Sequence, residues 1–102
     1  MELKDVTEEG LAELTGISDR TIRRYKNDEG ERPTLENVVA IGIALHLFPH
    51  QIVNLLGAAG YQLRKTPKER AYQYLIDAAY NNTVYECNMF LKKSGMPPLT
   101  NL

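Results

Sequence analysis

The chain has 102 residues, enough for one compact domain but too few for a separate cofactor-binding half. With 43% hydrophobic and 25% charged residues it has the composition of a globular protein, which excludes a disordered chain. The net charge of −1 argues against a general polyanion binder but is compatible with a local basic patch. The single cysteine excludes an intramolecular disulfide, and no apolar run is long enough for a membrane span.

Capping residues predict two short helices at the start of the chain. Thr7 is suited to cap a helix that runs to about Leu14, and Ser18 to cap a second helix that runs to about Lys26. The break between them is short and contains Gly16, which tolerates a positive φ. We therefore expect these two helices to cross at a steep angle through a tight turn.

Four more helices are predicted in the rest of the chain. Thr34 is placed to cap the third, and Pro49 suits the first turn of the fourth. Two capping boxes, Thr66–Glu69 and Thr83–Glu86, open the fifth and the sixth, and we expect the fifth to end near Tyr80. The predicted fold class is all-α, a compact bundle of about six short helices.

Helical spacing also predicts which side chains face the core. The inward positions of the first two helices and the break between them are Leu11, Ile17, Ile22 and Tyr25. Apolar residues of the third helix recur every three or four positions, as one inward stripe of Leu35, Val38, Val39, Gly42 and Leu45. The inward positions of the fourth helix are Ile52, Val53, Leu55 and Leu56. The last two helices carry residues suited to a core or to an interface, namely Tyr72, Leu75, Ile76, Ala79, Val84, Cys87, Met89, Phe90 and Leu91.

Positive charge is concentrated on the predicted second helix. Residues 20–26 contain four bases and no acid, whereas residues 2–13 contain five acids. A second basic cluster comprises Arg64, Lys65, Lys68 and Arg70. Bases gathered on one short helix favour contact with an anion such as DNA phosphate, although a solvated helix face has the same pattern.

The outward positions of the second helix are polar or basic. They are Asp19, Arg20, Arg23, Arg24 and, at the edge, Thr21. Polar and arginine side chains on the first turns of a helix suit the DNA major groove, because arginine binds guanine O6 and N7 with two hydrogen bonds.

The segment Leu11-Ala12-Glu13-Leu14-Thr15-Gly16-Ile17-Ser18, followed by Thr21-Ile22-Arg23-Arg24-Tyr25, resembles the helix-turn-helix family of phage repressor and Cro proteins, also called the XRE family. The resemblance continues through Arg32-Pro33-Thr34-Leu35-Glu36-Asn37 and ends near Leu56, so it covers about half of the chain. It implies a lambda-repressor-like fold, sequence-specific binding in the major groove of double-stranded DNA, and a transcriptional regulator of a bacterial or phage cytoplasm.

The resemblance also implies roles for individual residues. Base contacts would come from Ser18, Asp19, Arg20 and Arg24, with the two arginines providing most of the specificity. Phosphate contacts would come from Arg23, Lys26, Asn27, Arg32 and Thr34, with Arg23 also suited to a base. Asp19 would repel phosphates unless it accepts a hydrogen bond from cytosine or pairs with Arg23.

Besides Asp19 near the front of the second helix, the sequence departs from the family pattern at two places. Only residues 1–6 precede the helix that starts at Thr7, where the family normally has another helix. Either the chain is the C-terminal part of a longer protein, or the late helices cover the same face. The loop acids Asp28, Glu29 and Glu31 should weaken non-specific DNA affinity.

We expect residues 1–60 to be the helix-turn-helix region. Residues 61–102 would form a helical pair that packs on it or forms an interface, with one domain overall. Five of the six tyrosines lie in this second part, which favours a homodimer or a protein partner on the C-terminal helices as the alternatives to internal packing.

A second class of function is a protein-interaction module that uses the helix-turn-helix as a scaffold, and an antitoxin-like regulator would combine both functions. We expect no enzyme and no cofactor, because the sequence has no phosphate-binding glycine loop, HExxH or GxSxG motif. His46, His50 and Cys87 do not have the pattern of a zinc site, and Cys87 has no adjacent base to activate it.

Overall fold

The computed structural model describes residues 7–27, 33–78 and 82–102, except for the side chain of Asn27. All regular elements within these ranges are α-helices, which confirms the all-α prediction. They are α1 (Glu8–Thr15), α2 (Asp19–Asn27), α3 (Leu35–Ala44), α4 (Pro49–Ala58), α5 (Pro67–Ala78) and α6 (Val84–Lys93). The predicted core residue Ala79 and the predicted helix end at Tyr80 lie outside the described residues. No described helix has both the length and the apolar character that crossing a membrane requires.

Threonine side chains cap the helices as predicted. The Thr7 hydroxyl accepts a hydrogen bond from the Gly10 backbone N–H at 2.9 Å. At the start of α6 the Thr83 hydroxyl accepts from the Glu86 N–H, and the Glu86 carboxylate accepts from the Thr83 N–H, both at 3.1 Å. These contacts satisfy backbone donors that the first turn of a helix leaves unpaired, so each of these two helices begins directly after its capping threonine.

The central helix of the bundle is α3. Every residue from Val38 to Ala44 is buried, and α3 contacts α1, α4, α5 and α6. A helix that is apolar on all sides belongs in a core. Gly42 allows α4 to approach closely, because a Cβ at this position would lie 2.8 Å from the Ile52 Cγ1. The three-to-four spacing predicted one inward stripe, whereas the structure covers the whole circumference of α3.

Three of the apolar side chains that the sequence assigned to the core or to an interface are exposed. Val53 is 47% exposed, so the prediction that it faces inward is wrong. Ile52 and Leu56, one turn apart, form the buried face of α4, and Val53 lies off that face. Met89 and Phe90, predicted as core or interface residues, are 38% and 37% exposed on the outer side of α6.

The C-terminal tail returns to the turn between α1 and α2. The Leu99 backbone N–H donates to the Oδ1 of the buried Asn88 at 2.8 Å, and the Asn88 amide donates to the carbonyl oxygens of Thr100 and Leu102 at 3.3 and 3.2 Å. The Thr100 hydroxyl then donates to the carbonyl oxygen of Thr15, the last residue of α1. One buried side chain of α6 therefore holds the tail against the turn.

Polar contacts join the first turn of α3 to the first two turns of α5. The Tyr72 hydroxyl donates to the Glu36 carboxylate at 3.2 Å, and the Lys68 Nζ lies 3.1 Å from the same oxygen. Burial and the neighbouring charge of Glu36 raise the pKa of Tyr72. Helix α5 thus contacts the N-terminal end of α3 through a hydrogen bond and an ion pair as well as through the apolar core.

Candidate nucleic-acid interface

The turn between α1 and α2 is built from a glycine and a buried threonine. Gly16 has φ +79°, in the left-handed region that favours glycine, as the sequence predicts. The Thr15 hydroxyl donates to the Leu11 carbonyl at 2.8 Å and accepts from the Ile17 N–H at 3.1 Å. These bonds close the end of α1 and orient the chain for the start of α2.

Burial of one side determines which face α2 presents to solvent. Ile22 and Tyr25 are 0% and 5% exposed, and they anchor α2 in the core as predicted. The Tyr25 hydroxyl accepts a hydrogen bond from the Asn37 amide at 2.9 Å, which ties α2 to the first turn of α3. Because these two residues are held in the core, the opposite side of α2 faces solvent.

The N-terminal end of α2 is exposed. The Ser18 hydroxyl accepts from the Thr21 N–H at 3.2 Å and donates to the Thr21 hydroxyl at 2.8 Å, so it serves as the cap of α2. Asp19 accepts a hydrogen bond from the Arg20 backbone N–H at 2.9 Å. Both of these proposed base-contact residues thus also hold the first turn of the helix in place.

The two arginines proposed for base contact differ in environment. Arg20 is exposed in the first turn, and its side chain forms no ion pair within the described part of the chain. Arg24 is only partly exposed, although the sequence places it on the outward face. Arg20 is therefore the more accessible side chain of the two.

An acidic side chain of α1 neutralises two other bases of α2. The Arg23 Nε lies 3.1 Å from one oxygen of the Glu8 carboxylate, and the Lys26 Nζ lies 3.7 Å from the other. The hydrogen bond to Glu8 and the charge of Glu8 raise the pKa of Arg23. Asp19 forms no salt bridge with any described residue, so Arg23 pairs with Glu8 rather than with the acid one turn earlier.

The remaining proposed phosphate contacts lie at or before the start of α3. Thr34 is exposed, and its hydroxyl caps α3 by accepting from the Asn37 N–H at 3.1 Å. Arg32 and the side chain of Asn27 lie outside the described residues, as do the loop acids Asp28, Glu29 and Glu31.

Two features of this surface were missed by sequence reasoning. Glu8 is one of several acids near the start of the chain, and nothing in its local pattern identifies it as the partner of Arg23 fifteen residues later. The contrast between an acidic first segment and a basic second helix is the one signal that could have suggested the pair. The placement of the second basic cluster beside α3 also depends on contacts across the bundle.

A helix-turn-helix family model matches residues 1–47, slightly less than half of the chain, and the matched part includes α1, the turn, α2 and α3. Comparison with curated proteins and with solved structures found no match. The match supports a helix-turn-helix domain of the repressor and Cro type, the XRE type, in this part of the chain. Helix-turn-helix proteins of this type are DNA-binding regulators, so the match supports a DNA-binding role.

Proposed function

We propose that this protein binds double-stranded DNA at specific sequences and regulates transcription, with α2 inserted in the major groove. The observation that carries this proposal is the arrangement of α2 within a matched helix-turn-helix domain. Ile22 and Tyr25 fix one side of the helix in the core, and Arg20 projects from the exposed first turn. A helix held in this way presents its N-terminal side chains to base edges.

Arginine supplies the base specificity in this proposal. Arg20 and Arg24 bind guanine O6 and N7, and Ser18 and Asp19 contact neighbouring bases from the start of the helix. The phosphate contacts that position the helix come from Arg23, Lys26, Asn27, Arg32 and Thr34.

The charge of the protein limits its non-specific affinity for DNA, so most of the proposed affinity comes from contacts with specific bases. The chain has a net charge of −1, and Glu8 already pairs with Arg23 and Lys26. Non-specific affinity for duplex DNA comes almost entirely from phosphate neutralisation. We therefore expect weak binding to random DNA and a large gain on the cognate site.

The assignment of α2 is tested by titrating Arg20→Ala and Arg24→Ala against the cognate duplex and single-base variants of it. Each substitution should cost about 1–3 kcal/mol of binding free energy on the cognate site and relax the preference at one base position. Lys92→Ala, an exposed lysine of α6, is the matched control and should leave base preference unchanged. Unchanged affinity and preference in both arginine variants would contradict the assignment.

A second candidate function is a protein-interaction module on the C-terminal helices. Tyr74 and Phe90 stack with ring centroids 5.1 Å apart and are 57% and 37% exposed, and Tyr85 is 56% exposed. Exposed aromatic residues are enriched at protein interfaces. Salt separates the two functions, because binding through phosphates weakens steeply as salt rises, whereas an apolar interface responds little.

We further propose that residues 1–60 and 61–102 act as one domain and that a homodimer binds two half-sites about 34 Å apart. A palindromic binding site and a dimeric complex on DNA are the expected observations. The proposed location is the cytoplasm, where DNA is accessible, and the proposed activity is binding without catalysis.

A further inference from the structure

The second basic cluster (Arg64, Lys65, Lys68 and Arg70) lies outside the residues that the family model matches. One of its bases, Lys68, contacts the first turn of α3. The Tyr61 hydroxyl donates to the Pro33 carbonyl at 2.7 Å, and the Lys68 Nζ lies 3.1 Å from the Glu36 carboxylate. These two contacts bring both ends of residues 61–68 to the residues that begin α3.

The same turn of α3 is connected to α2. Asn37 donates to the Tyr25 hydroxyl at 2.9 Å, so α2, the start of α3 and the second basic cluster are neighbours in that order. Thr34, a proposed phosphate contact, lies at the middle of this arrangement as the cap of α3. A DNA strand that reaches Thr34 from the major groove therefore has the second basic cluster next to it.

Two bases that lie between these contacts are available for an anion. Arg64 and Lys65 are exposed, and neither side chain forms an ion pair with a described residue. The nearby acids are already engaged: Glu36 holds Lys68 and Tyr72, and Glu69 closes the cap of α5 with Thr66. The hydrogen bond from Thr66 lowers the pKa of Glu69, with smaller contributions from Arg64. The Glu69 carboxylate also accepts from the Arg64 backbone N–H at 3.2 Å, which ties α5 to this segment and leaves the Arg64 guanidinium without a salt bridge to a described residue.

We propose that Arg64 and Lys65 bind backbone phosphates of the same DNA duplex, beside the N-terminal end of α3. This inference rests on the proposed function, and it extends the DNA contact from the helix-turn-helix domain onto the segment before α5. Lysine and arginine side chains on an exposed segment next to a duplex replace condensed counterions. Such contacts add affinity without base preference.

The test is the salt dependence of duplex binding by the full chain with Arg64→Gln and Lys65→Gln combined. Each lost phosphate contact lowers the slope of log K against log salt by about 0.9, so the double variant should lose nearly 2 from the slope of the unaltered protein. The base preference should not change. Exchange of the two residues, Arg64→Lys with Lys65→Arg, should retain the slope because both charges are kept.

A matched control removes two charges elsewhere. Lys92 and Lys93 are also adjacent and exposed, and neither side chain forms a salt bridge with a described residue. Lys92→Gln with Lys93→Gln should leave the slope close to that of the unaltered protein. Equal loss of slope in the two double variants would overturn the proposal, because it would show an effect of net charge alone.

Two further outcomes separate this inference from the proposed function. If the unaltered protein binds duplex DNA and Arg20→Ala weakens it, but the Arg64 and Lys65 variant keeps the full slope, the inference is wrong and the proposed function stands. If the unaltered protein shows no salt-dependent binding to any duplex, both are wrong.

Discussion

Glu8 in the first turn of α1 and Arg23 in α2 are joined by a hydrogen-bonded ion pair of 3.1 Å, and the same carboxylate lies 3.7 Å from the Lys26 Nζ. One acid therefore occupies two of the bases that the proposed interface would offer to phosphate. The carboxylate competes with DNA for these cations, since each must give up Glu8 before it binds a phosphate oxygen.

The substitution Glu8→Gln should strengthen binding to duplex DNA of any sequence, because it releases both cations. The gain should be largest at low salt and should shrink as salt rises, and the slope of log K against log salt should steepen. Fluorescence anisotropy with a random-sequence duplex measures both. Glu13→Gln removes the same charge from an exposed position of the same helix and is the control. An equal gain in both variants would show that only net charge matters.

Substitution of the buried Asn88 should lower the stability of the fold and weaken the contact of the C-terminal tail. In Asn88→Ala the backbone N–H of the buried Leu99 loses its acceptor, which should lower the free energy of unfolding by about 1–3 kcal/mol. Residues 97–102 should also exchange their amide hydrogens faster, since Thr100 and Leu102 lose the same partner. Urea unfolding and hydrogen exchange measure the two effects. Asn54→Ala, at an exposed position within α4, should change neither by a comparable amount.

Two glycines within helices should respond in opposite directions to alanine. Gly42→Ala places a methyl group 2.8 Å from the Ile52 Cγ1, so overpacking should outweigh the gain in helix propensity and destabilise the fold by about 1–3 kcal/mol. Gly57→Ala meets no atom within 4 Å and should stabilise the fold by up to about 1 kcal/mol. Thermal unfolding of the two variants tests the close approach of α3 and α4, and destabilisation by both would contradict it.

The buried thiol of Cys87 should make the folded protein less stable at alkaline pH. Burial, with a smaller contribution from the charge of Glu86, raises the pKa of Cys87 from 9.0 to about 11. In the unfolded chain the thiol ionises first, so the folded state retains its advantage below pH 9 and loses it as pH rises towards 11. The loss attributable to this thiol should be about 2–3 kcal/mol at pH 11.

The control for this pH dependence is Cys87→Ala. It should lower stability at neutral pH but remove the part of the alkaline decline that begins at pH 9. The raised pKa of Tyr72 acts in the same direction at higher pH and is present in both proteins. Parallel urea-unfolding curves of stability against pH in the two proteins would contradict a buried, neutral Cys87.

Local chemistry made much of the fold predictable from the sequence. Caps such as Thr7, Thr34 and Thr83 act on backbone groups three residues away, so the helix starts follow from short patterns. The turn followed equally well from Gly16, because a left-handed φ strongly favours glycine. The outward direction of Arg20 followed from the spacing of Ile22 and Tyr25.

Contacts between distant segments could not be predicted in the same way. The pairing of Glu8 with Arg23, the burial of Asn88 beneath the tail, and the burial of α3 on all sides depend on how the helices pack. The exposure of Val53 has the same origin, because an apolar side chain gives no indication of whether a neighbouring helix covers it. The residues that contact bases stay predictions, since the complex with DNA determines them.

The central claim is that α2 recognises a DNA sequence, and selection from a random pool of duplex DNA tests it most directly. The experiment compares the unaltered protein with the double variant Arg20→Ala and Arg24→Ala. We predict that a defined motif is enriched by the unaltered protein alone, and that the motif is palindromic if the protein binds as a dimer. The absence of any enriched motif at low salt, or the same motif from the double variant, would contradict the claim.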